Sequence, residues 1–164
     1  MTESLSPLSR RFPLNALLKP RQPVHAILVG WMVTTIPALL LSVLVSSLLP
    51  QAAGPTFPVN GLSTVMLLVV FAPLIETLIM AAALEILLLV LPPRFAVIAS
   101  SVGWGIAHSL AAPAWGLVIW WPFLIFSTLY VTWRGQGRLL AIGIVFAVHA
   151  LNNLGPALIL LRSA

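Results

Sequence analysis

The sequence predicts an all-α fold, a polytopic membrane bundle of about five transmembrane helices. Three observations carry that expectation. The chain is 60% hydrophobic and only 7% charged, whereas a soluble domain carries roughly a quarter charged residues. Its mean hydropathy is +1.11. Five apolar segments, most of them near the roughly 17–25 residues that cross a bilayer as a helix, follow one another between borders of Pro, Gly or Arg.

Residues 1–24 are polar and contain Pro, with Arg10, Arg11, Lys19 and Arg21. They read as a basic, flexible cytoplasmic arm, and 25–164 as the transmembrane domain. "SRRF" at Ser9–Phe12 resembles a twin-arginine export signal. The apolar run behind it is too long for a signal-peptide core and has no small-residue cleavage site, so the arm is read as setting topology. The first segment is 26–49, closed by the Pro- and Gly-containing 50–60. The second, 61–91, is over-long and is expected to tilt, or to kink near Pro73. Pro92–Arg94 ends it. The third is 95–111 and the fourth 117–133, with Arg134–Arg138, "RGQGR", as a polar turn. The fifth is 139–161, where Gly155–Pro156 is expected to break or kink the helix.

The net charge of +5 does not indicate nucleic acid, because the basic residues sit mostly at the ends of apolar runs, where they anchor and orient a membrane chain. Five spans and the positive-inside rule put the N-terminus, Arg94, Arg134 and Arg138 in the cytoplasm and the C-terminus outside, with only Arg162 going against the rule. The expected setting is a bacterial inner (cytoplasmic) membrane. A re-entrant segment within 112–133 is the alternative topology. The sequence has no cysteine, which excludes disulfides, a thiolate nucleophile and Cys-ligated metal.

Ionisable groups in a membrane core are costly, roughly 2.5–3.5 kcal/mol on insertion scales, and mark function by default. The chain keeps Glu76, Glu85, His108 and His149, with Asn152 and Asn153 beside the last. At about 1.5 Å per residue, Glu76 lies about 27 Å back from Arg94 and His108 about 21 Å forward. His149 lies about 16 Å, and Asn153 about 22 Å, from Arg138. The four therefore share one depth band, and His149 and Asn153, four apart, share a helix face. A carboxylate and an imidazole can hold a water and take its proton. A second imidazole and an amide can donate hydrogen bonds to an oxyanion. Two His and one Glu are also a zinc ligand set. The bland reading is that such residues only hydrogen-bond between helices. Glu85 lies about 180° round the helix from Glu76 and nearer the inner end, where it can snorkel or pair with an Arg. Asn152 reads as a helix–helix hydrogen-bonder, His25 as interfacial, and the six Trp as interface anchors and packing.

In their order, these residues resemble the CPBP family of intramembrane proteases, the CAAX-protease and bacteriocin-processing enzymes. That family carries Glu-Glu-x-x-x-Arg, then Phe-x-x-x-His, then His-x-x-x-Asn/Asp on successive helices. "APLIETLIMA" matches the first motif in part, "WGIAH" at Trp104–His108 resembles the second, and "HALNN" at His149–Asn153 fits the third. The resemblance spans about 61–156. Thr77 stands at the second Glu, Ala81 at the Arg, and Trp104 at the Phe. The resemblance implies Glu76 as general base, His108 helping to bind the water, and His149 with Asn153 stabilising the oxyanion.

The expected function is therefore an intramembrane endopeptidase acting on a membrane-associated peptide or protein, with the lipid bilayer as its other partner. No cofactor is required. Zinc is possible but not favoured, because with Thr77 at the second Glu a zinc-bound Glu76 would leave no carboxylate as base. Two competitors stand beside this reading. One is an inactive homologue serving as a membrane interaction or bacteriocin-immunity protein. The other is a small transporter with Glu76 as proton relay, which lacks further ionisable residues for a path.

Overall fold

The computed structural model describes Leu17, residues 22–56 and residues 61–163. It is an all-helical bundle of five long helices: α1 (Pro23–Leu48), α2 (Leu62–Leu87), α3 (Pro93–Ala111), α4 (Gly116–Trp133) and α5 (Arg138–Ser163). Among the described residues there is no strand. Four helices, α1, α2, α4 and α5, are long and apolar enough to cross a membrane. The chain is a membrane protein. The large apolar side chains on the rim confirm that character: Leu40, Leu48, Leu62, Ile86 and Leu139 are all at least two-thirds exposed, a surface suited to lipid. α3 has the length, at 19 residues, but Ser100, Ser101, His108 and Ser109 make it less apolar. Of the predicted arm, only Leu17 and Gln22–Val24 are described. Leu17 is buried in the core, and α1 already begins at Pro23, whose missing N–H costs nothing in a first helical turn. The rest of that expectation lies outside the described residues.

α4 is the axis of the bundle. Half of it is buried, against 17–28% of the other three spans, and it is apolar all round, as a central helix must be. Phe123, Phe126, Leu129, Tyr130 and Trp133 fill the core from it. α3 lies antiparallel on α4: Ser127 donates to Ser100 at 2.9 Å, and Trp104 stacks on Phe123 at 4.3 Å. Two glycines set how closely these helices approach. A Cβ on Gly116 would collide with the Gly105 carbonyl and Ser109 Oγ, and one on Gly105 would press on Trp120. α1 closes the other side, with Trp121 Nε1–H donating to the Val33 carbonyl at 2.9 Å.

The over-long second segment is interrupted just where Pro73 falls. Leu67–Phe71 form a π-helical turn between α-helical Leu62–Met66 and Ala72–Leu87. At the other proline the expected break is absent. α5 runs as one helix through Pro156, because a proline deletes only one ladder bond, and hydrocarbon penalises any further loss.

Glu85, at the end of α2, is clamped. Arg134 binds both its oxygens at 2.9 Å, Tyr130 donates to Oε1 at 2.9 Å, and Arg138 donates to Oε2 at 3.0 Å. This is the arginine pairing anticipated for Glu85. The bond to Glu85 holds the Arg134 guanidinium above its ordinary pKa. The clamp ties the end of α2 to the end of α4 and the start of α5.

Gly116→Ala is expected to destabilise the protein by about 1–3 kcal/mol, the range for overpacking, because the Gly105 backbone carbonyl, which cannot swing aside as Ser109 Oγ can, blocks the methyl. Gly143→Ala, where a Cβ meets nothing within 4 Å, is expected to be neutral or mildly stabilising. Thermal unfolding of both variants in detergent checks the difference.

Candidate functional site

On α2 the residues Pro73, Thr77, Met80, Ala81 and Leu84 form the buried stripe, at helical spacing. Glu76 stands beside that stripe rather than in it, and its side chain remains 26% exposed. On α5 the buried stripe is Ala141, Ile144, Val145, Val148 and His149. His149 is thus carried into the interior by its apolar neighbours. The two stripes face each other and bring His149 Nε2 to 3.5 Å from Glu76 Oε2. That is contact, slightly beyond the roughly 2.7–3.2 Å of a well-formed hydrogen bond. The rest of the imidazole is walled by Phe126 at 4.5 Å and Phe123 at 5.6 Å, and His149 Nδ1 has no protein partner.

His108 enters from α3. Its Nδ1 lies 2.8 Å from the Trp104 carbonyl one turn back. A carbonyl only accepts, so in the neutral ring Nδ1 carries the proton and Nε2 is left as the acceptor. Trp115 meets this ring edge-on at 4.7 Å, and Phe123 lies 5.6 Å away. Phe123 is therefore shared by both imidazoles.

Asn153, one turn beyond His149, does something the sequence did not suggest. Its Nδ2 donates to the Leu68 carbonyl of α2 at 3.0 Å. In the π turn the Ala72 N–H bonds to the Leu67 carbonyl, five residues back. The same register would give the Leu68 carbonyl to the N–H of residue 73, which is Pro73 and has none. Asn153 supplies the missing donor, as buried backbone in hydrocarbon requires. One amide hydrogen of Asn153 is left for other work. Asn152 bonds helix to helix, accepting from Thr35 of α1 at 3.1 Å and donating to Asn153 Oδ1 at 3.3 Å.

Of the four predicted residues, Glu76 and His149 are brought into contact. His108 adjoins them through Phe123. Asn153 follows on the His149 face, with its amide engaged to backbone. At contact distance the partner of Glu76 is His149. Thr77 and Ala81, where the motif of the CPBP proteases has Glu and Arg, are 1% and 4% exposed; Thr77 Oγ1 finds no partner. Among the described residues no three His, Cys, Asp or Glu side chains gather as a metal-ligand set. Sequence reasoning missed Phe123, Phe126, Trp115 and the Leu68 carbonyl. "WWPFLIF" at Trp120–Phe126 is conspicuously aromatic, but a helix apolar on every side gives no sign of which rings face a site. Comparison of the chain with protein-family models, with curated proteins and with solved structures yields no match.

Asn153→Ala is expected to cost about 1–3 kcal/mol, the penalty for an unsatisfied buried carbonyl. In a Pro73→Ala background, where residue 73 regains its N–H, the same change should cost less than half as much. A double-mutant cycle by thermal unfolding measures that coupling; equal costs in both backgrounds would contradict the backbone role.

Proposed function

We propose that the chain is an intramembrane peptide-bond hydrolase of the kind the CPBP resemblance implies, with Glu76 as general base. The observation that carries this reading is the contact between Glu76 and the buried His149 inside an otherwise apolar bundle. A carboxylate at that depth is expensive, and an imidazole beside it gives the pair a proton to share. In this reading a water is held between the Glu76 carboxylate and the acceptor Nε2 of His108. Glu76 takes one of its protons as the oxygen attacks the peptide carbonyl carbon. The remaining amide hydrogen of Asn153 donates to the oxyanion. When the C–N bond breaks, Glu76 returns its proton to the leaving amine, so atoms and charge balance. His149 orients the Glu76 carboxylate. The reading needs no metal. The bundle is oriented with its N-terminus in the cytoplasm and, with α3 also crossing, its C-terminus outside.

A second reading has an observation of its own. Asn153 satisfies α2 backbone, and Thr77 and Ala81 fill core positions where the motif carries Glu and Arg. Both fit a fold kept without its chemistry, as in a membrane interaction or immunity protein.

Glu76→Gln is expected to reduce turnover of a membrane peptide by 10²–10⁴-fold, the usual order of magnitude for a general base, with substrate binding and thermal stability near wild type. Glu85→Gln should leave the rate per folded molecule largely intact. Equal rates for wild type and Glu76→Gln would remove Glu76 from the chemistry and favour the second reading. Chelator should leave the rate unchanged; loss on chelation with recovery on added zinc would make Glu76 a ligand instead. Reporter fusions at Met1 and Ala164 should read on opposite sides of the membrane.

A further inference from the structure

The end of the bundle that carries the Glu85 clamp holds more positive charge than the clamp uses. Glu85 accepts four hydrogen bonds, two at each oxygen, which fills the capacity of a carboxylate. Two guanidiniums share that single negative charge, and among the described residues no second carboxylate pairs with either of them. Arg138 contributes only Nη2 to Glu85, and its side chain is 69% exposed. Arg94 opens α3 at this same end, lying over the Phe95 ring at 4.7 Å. By contrast, 49–56 and 112–115, at the opposite end, contain neither Lys nor Arg, and Arg162 in the last turn of α5 is the basic residue there among the described residues.

Beside the clamp is an open pocket of about 640 Å³, lined by Arg134, Gly135, Gly137, Arg138 and Leu139. Gly135 leaves its floor clear, since a Cβ there would meet nothing within 4 Å. Gly137, at φ 151°, is in a region that side chains rarely adopt, so the turn keeps its shape only with glycine. The pocket is basic on one side and apolar on the other: Leu139 is 84% exposed and begins the lipid-facing surface of α5. A free anion would use only the first side. A phospholipid uses both, with its phosphate on Arg138 and Arg134 and its acyl chain along Leu139.

We propose that this pocket binds the phosphate headgroup of an anionic phospholipid, with Arg138 as its principal contact. The site lies at the level where an apolar span gives way to polar headgroups, and a guanidinium offers phosphate a paired donor geometry. It is separate from the Glu76–His149 site and does not depend on that site's chemistry.

The test uses the full chain purified in a neutral detergent, titrated with phosphatidylglycerol, phosphatidylcholine or inorganic phosphate. Binding is read by thermal shift and by retained lipid in native mass spectrometry. Phosphatidylglycerol should bind and raise the melting temperature, and phosphatidylcholine and inorganic phosphate should do so at least tenfold more weakly. Arg138→Ala should lower the phosphatidylglycerol affinity about tenfold or more, the worth of a charge-assisted contact, with Arg138→Lys in between. Native mass spectrometry counts lipid on folded protein only, so it reports binding even if a variant is less stable. Equal binding of the two lipids, or an unchanged affinity in Arg138→Ala, would overturn the proposal. A response to inorganic phosphate matching that to phosphatidylglycerol would overturn the lipid assignment.

Discussion

The Glu85 carboxylate fixes the rotation of α2, and the candidate site depends on that rotation. With four donors from Tyr130, Arg134 and Arg138 on its two oxygens, Glu85 can face only toward the ends of α4 and α5. Glu76 is nine residues, two and a half turns, earlier on the same helix. The two acids thus flank the buried stripe from Pro73 to Leu84 on opposite sides, and the His149 contact sets Glu76 beside α5. A polar cluster at one end of the bundle and the His149 contact further along α2 hold the helix at two points on opposite sides of its buried stripe. Lone surface ion pairs contribute little. This one is partly sheltered, bidentate and shared, which is the geometry in which such pairs hold position.

The π turn sets the other half of α2. A wide turn inserts one residue into the helical count, which swings every preceding side chain about 100° relative to those that follow. Pro73 then leaves the Leu68 carbonyl without a donor, and α5 provides one through Asn153. His149 and Asn153 thus act on α2 from a single face of α5: one meets the Glu76 carboxylate and the other mends the backbone at Leu68, about two turns before it. The irregular turn and the polar contact are two parts of one α2–α5 seam.

Much of this was legible in the sequence. The all-helical bundle followed from apolar runs and their charged borders, and the five helices overlap the five expected segments, with ends differing by up to four residues. The disruption near Pro73 and the arginine partner for Glu85 were also readable, because Pro lacks a donor and a border carboxylate seeks a cation. Depth was legible too: counting residues put Glu76 and His149 at one level, and they touch. What could not be read was azimuth. A count along the chain does not say which way a side chain faces, so the direct contact of Glu76 with His149 was not foreseen. The role of Asn153 depended on a carbonyl, and a sequence shows no carbonyl left without a donor. Nor could Pro156 be separated from Pro73 by type alone. One sits within an uninterrupted helix and the other beside an irregular turn, and the difference lies in the residues around each.

The close Gly105–Gly116 crossing bears on how the protein enters its membrane. α3 is the least apolar of the five helices and is joined to α4 by only four residues, 112–115. Its Ser100 is already bonded to Ser127, and its Trp104 is stacked on Phe123. Those partners all lie on α4, the next segment to be made. A segment too polar to partition alone becomes insertable once its neighbour covers its serines and indole. The α3–α4 hairpin is then a packing unit in its own right, with the two glycines allowing the pair to close.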